Sequence, residues 1–425
     1  MKMKIMTHFC NCAVFALLSL AACTEIPGDK SKPEWKESAS GVWEISVGKP
    51  EKLNLLSELG LHPKWDAINA MPKADLPVDR DEIRFEEVDG KTYIRFPLDK
   101  GEKIFGLGLN FKTVEQRGRI LELHVDHYGG KDNGRTHAPV PFFVSSKGYG
   151  AFINSARYIK AYVGTGVRKD TKNPPEVQDR NTDPGWSAQP YSDNLEFLVP
   201  AEGVEVVLFA GQDMQDVVRR FNLFNGGGVL PPKWGLGFWH RVPTLFTDRQ
   251  VQDEIAEFRK RGFPLTVIGL EPGWMSRAYP CTYEWDATRF PEPGKFVNDL
   301  LQKHIRTNLW FNPGVSPECE IRDAIEPYTA SHTEWNGLVP DYRMPEARRI
   351  MLDHFKKHQL DLGVSGYKMD ENDGYDNWLW PDVATFPSGT SAEQMRQIYG
   401  SLMQRMTTDL YHEKNQRTYG LVRAG

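Results

Sequence analysis

The chain has 425 residues, of which 40% are hydrophobic and 26% charged, and its formal net charge is -5 at pH 7. This length favours two or more domains with ample core. The negative charge excludes the broad basic surface that a nucleic-acid binder needs. The 12 Trp, 15 Tyr and 22 Phe fit either a carbohydrate binder, whose rings stack on sugars, or a large core.

The N-terminus is typical of an export signal. Two lysines precede an apolar stretch, residues 13–22, which is too short to cross a bilayer. The stretch ends in Leu-Ala-Ala directly before Cys23, a pattern that resembles the bacterial lipobox, in which the cysteine is lipidated. We therefore expect a signal peptide at 1–22, a lipid anchor on Cys23 and a flexible tether at 23–40. The alternative is an ordinary secretory signal with a coincidental cysteine.

This N-terminus predicts an exported bacterial lipoprotein, periplasmic or associated with the outer membrane. Later stretches are not apolar enough to cross a bilayer, so the predicted membrane contact is the lipid alone. Once Cys10, Cys12 and Cys23 are assigned to the signal region, Cys281 and Cys319 remain. An exported protein could pair these two cysteines, and their spacing does not suggest zinc. We expect neither a metal nor a cofactor.

Residues 41–228 follow the pattern of an all-β domain. Short runs rich in branched and aromatic residues alternate with clusters of Gly, Asp, Asn and Pro. The clearest runs are Thr92–Phe96, Pro141–Val144, Ala151–Ile153 and Val204–Ala210. Strands separated by such turn signals favour a β-sandwich.

Residues 229–425 have a different periodicity, in which strands alternate with helices. One helix is predicted after Thr247, which can form a capping box with Gln250, and another at Pro345–Gln359. The predicted strands are Trp234–Trp239, Leu265–Leu270, Asn308–Phe311, Val364–Tyr367 and Thr418–Val422. This alternation predicts a parallel α/β sheet. Five strands cannot close an eight-stranded barrel, so we expect either an open sheet or an incomplete (β/α)8 barrel.

A cluster of charged residues follows the fourth of these strands. Lys368 stands at its end, and Asp370, Glu371 and Asp373 come directly after it. Parallel α/β barrels place their catalytic groups at the C-terminal ends of strands. The cluster therefore predicts an acidic catalytic site, and the alternative is an acidic loop that happens to follow a buried strand.

The segment from Lys368 to Asp373 resembles the nucleophile strand of glycoside hydrolase family 31, the retaining α-glycosidases. Its pattern is Lys-x-Asp or Trp-x-Asp with an acid three positions on. Other segments resemble the family in chain order: Phe105–Gly108, Pro141–Phe143 with Gly148–Gly150, Leu230–Trp234, Phe263–Leu265 with Trp274, Trp285–Asp286 with Arg289–Pro291, Trp310–Pro313, and Arg417–Arg423. The resemblance implies a β-domain followed by a barrel, and hydrolysis of terminal α-linked sugars of a glycan through a covalent intermediate.

On this resemblance, Asp370 falls on the nucleophile and Arg423 on a substrate-binding arginine. Retaining glycosidases also need a proton donor about 5–5.5 Å from the nucleophile. The family carries that acid after its sixth strand, so the resemblance places it beyond Gly425 and implies a C-terminally truncated enzyme with five of eight strands. Lys368 could hold Asp370 ionised or bind a sugar hydroxyl, with a plain interior ion pair as the alternative.

Further substrate contacts are expected from both domains. Asp126 precedes Pro141 where the family's β-domain lends an acid to the sugar site, although a surface turn is the alternative. Glu371 could equally be a solvated loop residue. The full set of expected substrate-binding residues is Asp126, Glu271, Trp274, Trp310, Lys368, Glu371, Asp373 and Arg423.

One departure from the family pattern concerns the sugar itself. Family α-glucosidases carry Asp-Ile-Asp at the second strand end, where this chain has Glu271, Pro272 and Gly273. Glu271 is one carbon longer than the first aspartate, and Gly273 replaces the second. These differences change which sugar hydroxyls can form hydrogen bonds there. The segments Trp335–Asp341 and Trp378–Asp382 look more like the bacterial α-galactosidase branch, so we expect an α-galactosidase. The alternatives are an α-glucosidase, an α-xylosidase, or a lipoprotein that binds glycans without cleaving them.

Overall fold

The computed structural model describes residues 33–127, 133–188, 191–374 and 378–424. The predicted signal peptide and Cys23 lie outside these residues, so both the signal peptide and the lipid anchor stay predictions. Within the described part of the chain, no helix is both long and apolar enough to cross a membrane.

The first domain is a sandwich of two antiparallel sheets. Its strands are β1 (Lys36–Ala39), β2 (Val42–Gly48), β3 (Arg84–Val88), β4 (Lys91–Pro97), β5 (Ile104–Gly106), β6 (Arg119–Leu123), β7 (Phe142–Ser145), β8 (Tyr149–Asn154), β9 (Ile159–Val163), β10 (Asn194–Val199) and β11 (Gly203–Ala210). One sheet has the order β1-β2-β11-β8-β7-β5 and the other β3-β4-β10-β9-β6. The helical segments are α1 (Leu55–Glu58), α2 (Trp65–Asn69), α3 (Met214–Phe224) and a 3-10 turn at Arg80–Glu82.

Alternating side chains explain why these strands form a sandwich. On β4, Thr92, Ile94 and Phe96 are buried, whereas the residues between them are partly exposed. Phe96 packs edge-on against Phe143 of the other sheet, with ring centroids 5.1 Å apart. A burial period of two directs one face of each sheet into a shared core. The sandwich begins earlier than expected, because residues 36–39 pair with β2 within the segment predicted as a flexible tether.

The second domain is α/β. Its strands are β12 (Phe238–Arg241), β13 (Leu265–Leu270), β14 (Arg306–Phe311), β15 (Thr329–Glu334), β16 (Gly337–Pro340), β17 (Gly366–Met369) and β18 (Leu421–Val422). Its helices are α4 (Asp248–Lys260), α5 (Pro293–Gln302), α6 (Arg322–Ile325), α7 (Pro345–His358) and α8 (Ala392–His412), with 3-10 turns at Lys233–Leu236, Pro272–Trp274, Glu326–Tyr328 and Leu360–Leu362. Strands β15 and β16 form a hairpin. The other five form one parallel sheet, β12-β13-β14-β17-β18, which confirms the predicted order of an all-β domain followed by five parallel strands.

Local sequence signals explain the helix that follows β12. Thr247 caps α4 and Gln250 bonds back to it, which is the capping box that the sequence predicted. Val251 and Ile255 of α4 are buried toward the sheet.

Two strands differ from their predictions. Within Trp234–Trp239, residues 233–236 form a 3-10 turn and the strand begins only at Phe238. The fourth strand of the sheet begins at Gly366 rather than Val364, after a turn in which Gly363 has φ 99°. Lys368 and Met369 consequently belong to β17, and Asp370 is the first residue after it.

Candidate active site

The C-terminal ends of neighbouring parallel strands bring together the predicted charged residues. Glu271 follows β13, Asp370 follows β17 and Arg423 follows β18. The Asp370 N–H donates to the Phe311 carbonyl at 3.0 Å, so the hydrogen bonding between β14 and β17 continues one residue past the end of β17. Because these strands are parallel, their C-terminal ends share one edge, as in barrel enzymes.

Asp370 is a buried carboxylate held by three donors. Trp310 Nε1 donates to Oδ2 at 2.8 Å, Lys368 Nζ lies 3.2 Å from Oδ2, and Arg423 Nη1 lies 2.9 Å from Oδ1. Burial alone would raise the pKa of this carboxyl. The Trp310 hydrogen bond and the two positive charges outweigh burial and hold the pKa below its ordinary value. Asp370 is therefore ionised and directed to one edge of the sheet, as a nucleophile requires.

Lys368 links Asp370 to Glu271. Its Nζ lies 3.4 Å from Glu271 Oε2, and Arg241 Nε donates to the other oxygen of Glu271. Arg241 also donates to Asn308 Oδ1 at 2.9 Å. Glu271 is thus part of an ion network that spans three strand ends. Sequence reasoning missed Arg241, although its place at the end of the first parallel strand was an available signal.

Glu371 occupies a strained position beside Asp370. Its φ is 61°, which is uncommon for a residue with a side chain. Its carboxylate accepts from Asn312 Nδ2 at 3.1 Å and from the Tyr279 hydroxyl at 3.3 Å. Burial, and to a lesser degree the nearby Asp370 charge, raise the pKa of Glu371. Its side chain is half-buried and hydrogen-bonded, so Glu371 is not a simple solvated loop residue.

Asp373 contacts both Arg423 and His137. Its side chain is fully buried, one oxygen accepts from Arg423 Nε at 2.6 Å, and the other contacts His137 Nδ1. Asp373 therefore positions Arg423, and its contact with a sugar stays a prediction. Arg423 Nη2 is buried and has no hydrogen-bond partner among the described residues.

The two tryptophans predicted to bind substrate are both buried. Trp274 is 1% exposed, its Nε1 donates to the Trp310 carbonyl at 2.8 Å, and its ring packs against Trp285. Trp274 therefore supports Trp310 and cannot present a ring face to a sugar, which corrects the prediction. Trp310 is equally buried, packs against Tyr279, and acts on the site through its N–H to Asp370.

Asp126 lies on a loop of the β-sandwich that contacts the second domain. The Val125 N–H on this loop donates to Gln397 Oε1 of the second domain at 2.8 Å. Arg135 Nη1 donates to Asp126 Oδ2 at 2.8 Å, while Asp126 Oδ1 is buried without a partner among the described residues. Asp126 is buried rather than on a surface turn. Its contact with substrate stays a prediction.

The two remaining cysteines are not paired. Cys281 and Cys319 are both buried and free. The Cys281 thiol donates to Asn312 Oδ1 at 3.0 Å and the Cys319 thiol to the Thr282 carbonyl at 3.1 Å. Both thiols act as hydrogen-bond donors that fix loops behind the site.

Comparison with known proteins places both domains in one family. The family description "Glycosyl hydrolases family 31 TIM-barrel domain" matches residues 228–425, and "Glycosyl hydrolase 31 N-terminal galactose mutarotase-like domain" matches residues 30–160. An α-xylosidase of Emericella nidulans is 25% identical over 338 residues, which cover 76% of this chain and 39% of that protein. An α-glucosidase of Saccharolobus solfataricus is 24% identical over 354 residues, covering 79% of this chain and 46% of its own. The chain thus spans less than half of these relatives.

Solved structures share the fold. A family 31 dextranase of Flavobacterium johnsoniae in complex with glucose has a TM-score of 0.73 at 18% identity, and the match covers 94% of this chain and 52% of that one. An α-xylosidase from a soil metagenome in complex with xylose has a TM-score of 0.68 at 15% identity, with 92% and 63% covered. With both domain descriptions in chain order and the nucleophile-type carboxylate at the fourth strand end, the chain belongs to glycoside hydrolase family 31.

Proposed function

We propose that the protein is a retaining α-glycoside hydrolase in which Asp370 is the nucleophile. The observation that carries this proposal is the state of Asp370, which is buried, ionised and fixed by Trp310, Lys368 and Arg423 at a strand end. A plain interior ion pair would need one positive partner. Two cations and an N–H donor on one buried carboxylate keep it charged.

The proposed reaction has two steps. Asp370 attacks the anomeric carbon, the glycosidic C–O bond breaks, and a second carboxylic acid protonates the departing oxygen. That acid, now a carboxylate, takes a proton from water, and the water oxygen displaces Asp370 from the sugar. The resemblance to the family places the second acid on a loop after a sixth strand. Arg423, whose Nη1 lies 2.9 Å from Asp370 Oδ1, would also contact the bound sugar.

The preferred sugar is the finer part of the proposal. Lys368 bridges Glu271 to Asp370, which supports a place for Glu271 beside the sugar that Asp370 attacks. We propose that Glu271 accepts from an axial 4-hydroxyl and that α-galactosides are preferred. Comparing kcat/KM on nitrophenyl α-galactoside, α-glucoside and α-xyloside tests this, with Glu271→Gln as the matched variant. Preference for glucoside or xyloside would overturn the galactoside proposal and leave the nucleophile untouched.

Covalent labelling tests the nucleophile directly. A mechanism-based fluoro-glycoside, followed by peptide mass mapping, should modify Asp370 in the whole protein. Label on Glu371 or Asp373 would overturn the assignment. Glycoside binding with neither label nor turnover would instead support a lipoprotein that binds glycans without cleaving them.

The location of the protein is a separate proposal. We propose that Cys23 carries a lipid that holds the protein at a bacterial membrane, on the lipobox-like sequence before it. Metabolic labelling with a radioactive fatty acid should mark the wild-type protein and not Cys23→Ala. Equal labelling of both proteins would contradict it.

A further inference from the structure

A cluster of metal-ligand side chains lies at the helix α7, apart from Asp370 and its partners. His354 and His358 are four residues apart on α7 and therefore share one face of it, with ring centroids 4.5 Å apart. Glu320, from the segment after β14, reaches both rings. Its Oε1 lies 3.1 Å from His354 Nδ1 and 2.9 Å from His358 Nε2.

The spacing of these atoms fits a metal ion. The three ligand atoms lie within 4.8 Å of one another. A tetrahedral zinc ion with ligand bonds of about 2.0–2.2 Å holds its ligand atoms about 3.4 Å apart. The distances from Glu320 Oε1 to His354 Nδ1 and to His358 Nε2 are 3.1 and 2.9 Å, so they need to increase by only a few tenths of an ångström. Small side-chain rotations can supply this change.

His354 lies between two oxygen atoms. Its Nε2 is 3.3 Å from the Thr282 carbonyl and its Nδ1 is 3.1 Å from Glu320 Oε1. A neutral imidazole has one N–H and one lone pair. When Nε2 donates its hydrogen to the Thr282 carbonyl, the lone pair of Nδ1 is directed toward Glu320 Oε1, where a shared metal ion would lie.

We propose that Glu320, His354 and His358 bind a divalent transition metal such as Zn2+, with a fourth position open to water. Imidazole nitrogen and carboxylate oxygen are suitable zinc ligands. Lys357 competes for the same carboxylate, with its Nζ 2.9 Å from both oxygens of Glu320. Its side chain is 62% exposed, and a solvated ion pair of this kind is weak enough for a metal to displace. The metal would fasten the Glu320 segment to α7.

Metal binding to the full chain tests the proposal. The chelator-stripped protein should take up one equivalent of Zn2+ in competition with a chromogenic chelator, and Co2+ should give the visible absorption of a four-coordinate site. His358→Ala should weaken Zn2+ binding by about tenfold or more, and Zn2+ should raise the Tm of the wild type only. Equal affinity in wild type and His358→Ala would overturn the proposal.

Two further variants distinguish this site from its neighbours. Lys357→Ala removes the competing cation and should bind Zn2+ at least as tightly as the wild type, because no ligand is lost. Cys319 and Glu284 form a second group on the Nε2 side of His354, where the thiol sulfur lies 4.0 Å away. Cys319→Ser should therefore leave Zn2+ affinity unchanged. Loss of binding in that variant would overturn the assignment to Glu320 and His358.

Discussion

Two buried carboxyl groups near the strand ends are in opposite charge states. Asp370 is 7% exposed and has three donors, and its pKa is lowered. Glu334, at the end of β15, is 0% exposed, and neither of its oxygens has a hydrogen-bond partner among the described residues. Burial, followed by the charges of Glu371 and Asp373, raises the pKa of Glu334 well above its ordinary value. Burial is common to both groups, so the donors decide which carboxyl is charged.

Replacing Asp370 removes the charged member of the pair and should have the largest effect. Asp370→Ala takes away the attacking oxygen, so kcat on aryl α-glycosides should fall on the order of 10⁴-fold or more. Asp323→Ala is the matched control, because the Asp323 side chain is 92% exposed. Near-normal turnover by Asp370→Ala would refute its role as nucleophile.

Asp373→Asn should have a smaller effect, because Asp373 acts through Arg423. Loss of the Asp373 charge weakens the hold on Arg423 Nε, and Arg423 is also a partner of Asp370. A misplaced catalytic contact costs up to about 10²-fold, so we expect kcat/KM to fall about 10- to 100-fold, with measurable turnover remaining. A loss as large as that of Asp370→Ala would mean that Asp373 takes part in the chemistry.

Trp310→Phe should shift the pH profile. It removes one donor from Asp370 and therefore raises the pKa of that carboxyl. Asp370 must be ionised to attack, and activity is lost as pH falls through its pKa. The acidic limb of kcat/KM should move to higher pH by about one unit, with less than about tenfold loss at the optimum. An unmoved acidic limb would show that the indole N–H does not set this pKa.

Glu334→Gln tests the uncharged member and should have the smallest effect on activity. The folded protein keeps the Glu334 proton that the unfolded chain releases above about pH 4.3. Wild-type stability therefore falls as pH rises above that value, by at most about 1.4 kcal/mol per pH unit from this group. The Glu334→Gln variant has no titrating group at this position and lacks this pH-dependent loss. In urea unfolding, its free energy of unfolding relative to that of the wild type should therefore increase with pH. Parallel stability curves would mean that Glu334 is ionised in the folded protein.

The sequence predicted the elements whose signals are local. The period of burial on β4, the capping box of α4 and the acids after β17 all depend on neighbouring residues. The sequence also predicted that Lys368 could hold Asp370 ionised, and the two side chains do contact each other. The start of β17 lies two residues later than predicted, because the turn that ends at Gly363 precedes the strand.

Contacts between distant segments could not be predicted. The indole N–H of Trp310 reaches Asp370 across 60 positions, and no local pattern encodes that contact. Trp274 was expected beside the substrate, but its direction depends on the packing of Trp285 behind it. The spacing of His354 and His358 was visible in the sequence, whereas the approach of Glu320 depends on the tertiary fold.

The contact between His137 and Asp373 limits how far the two domains are modular. These residues are 236 positions apart, one in the β-sandwich half and one in the loop after β17. Expressing residues 229–425 alone would delete His137 and leave a buried aspartate with one partner fewer. Chimeras that exchange barrels between relatives would meet the same problem unless the β-domain loop is exchanged too. The sandwich thus helps to hold the loop that follows β17, and the two domains should be engineered as one unit.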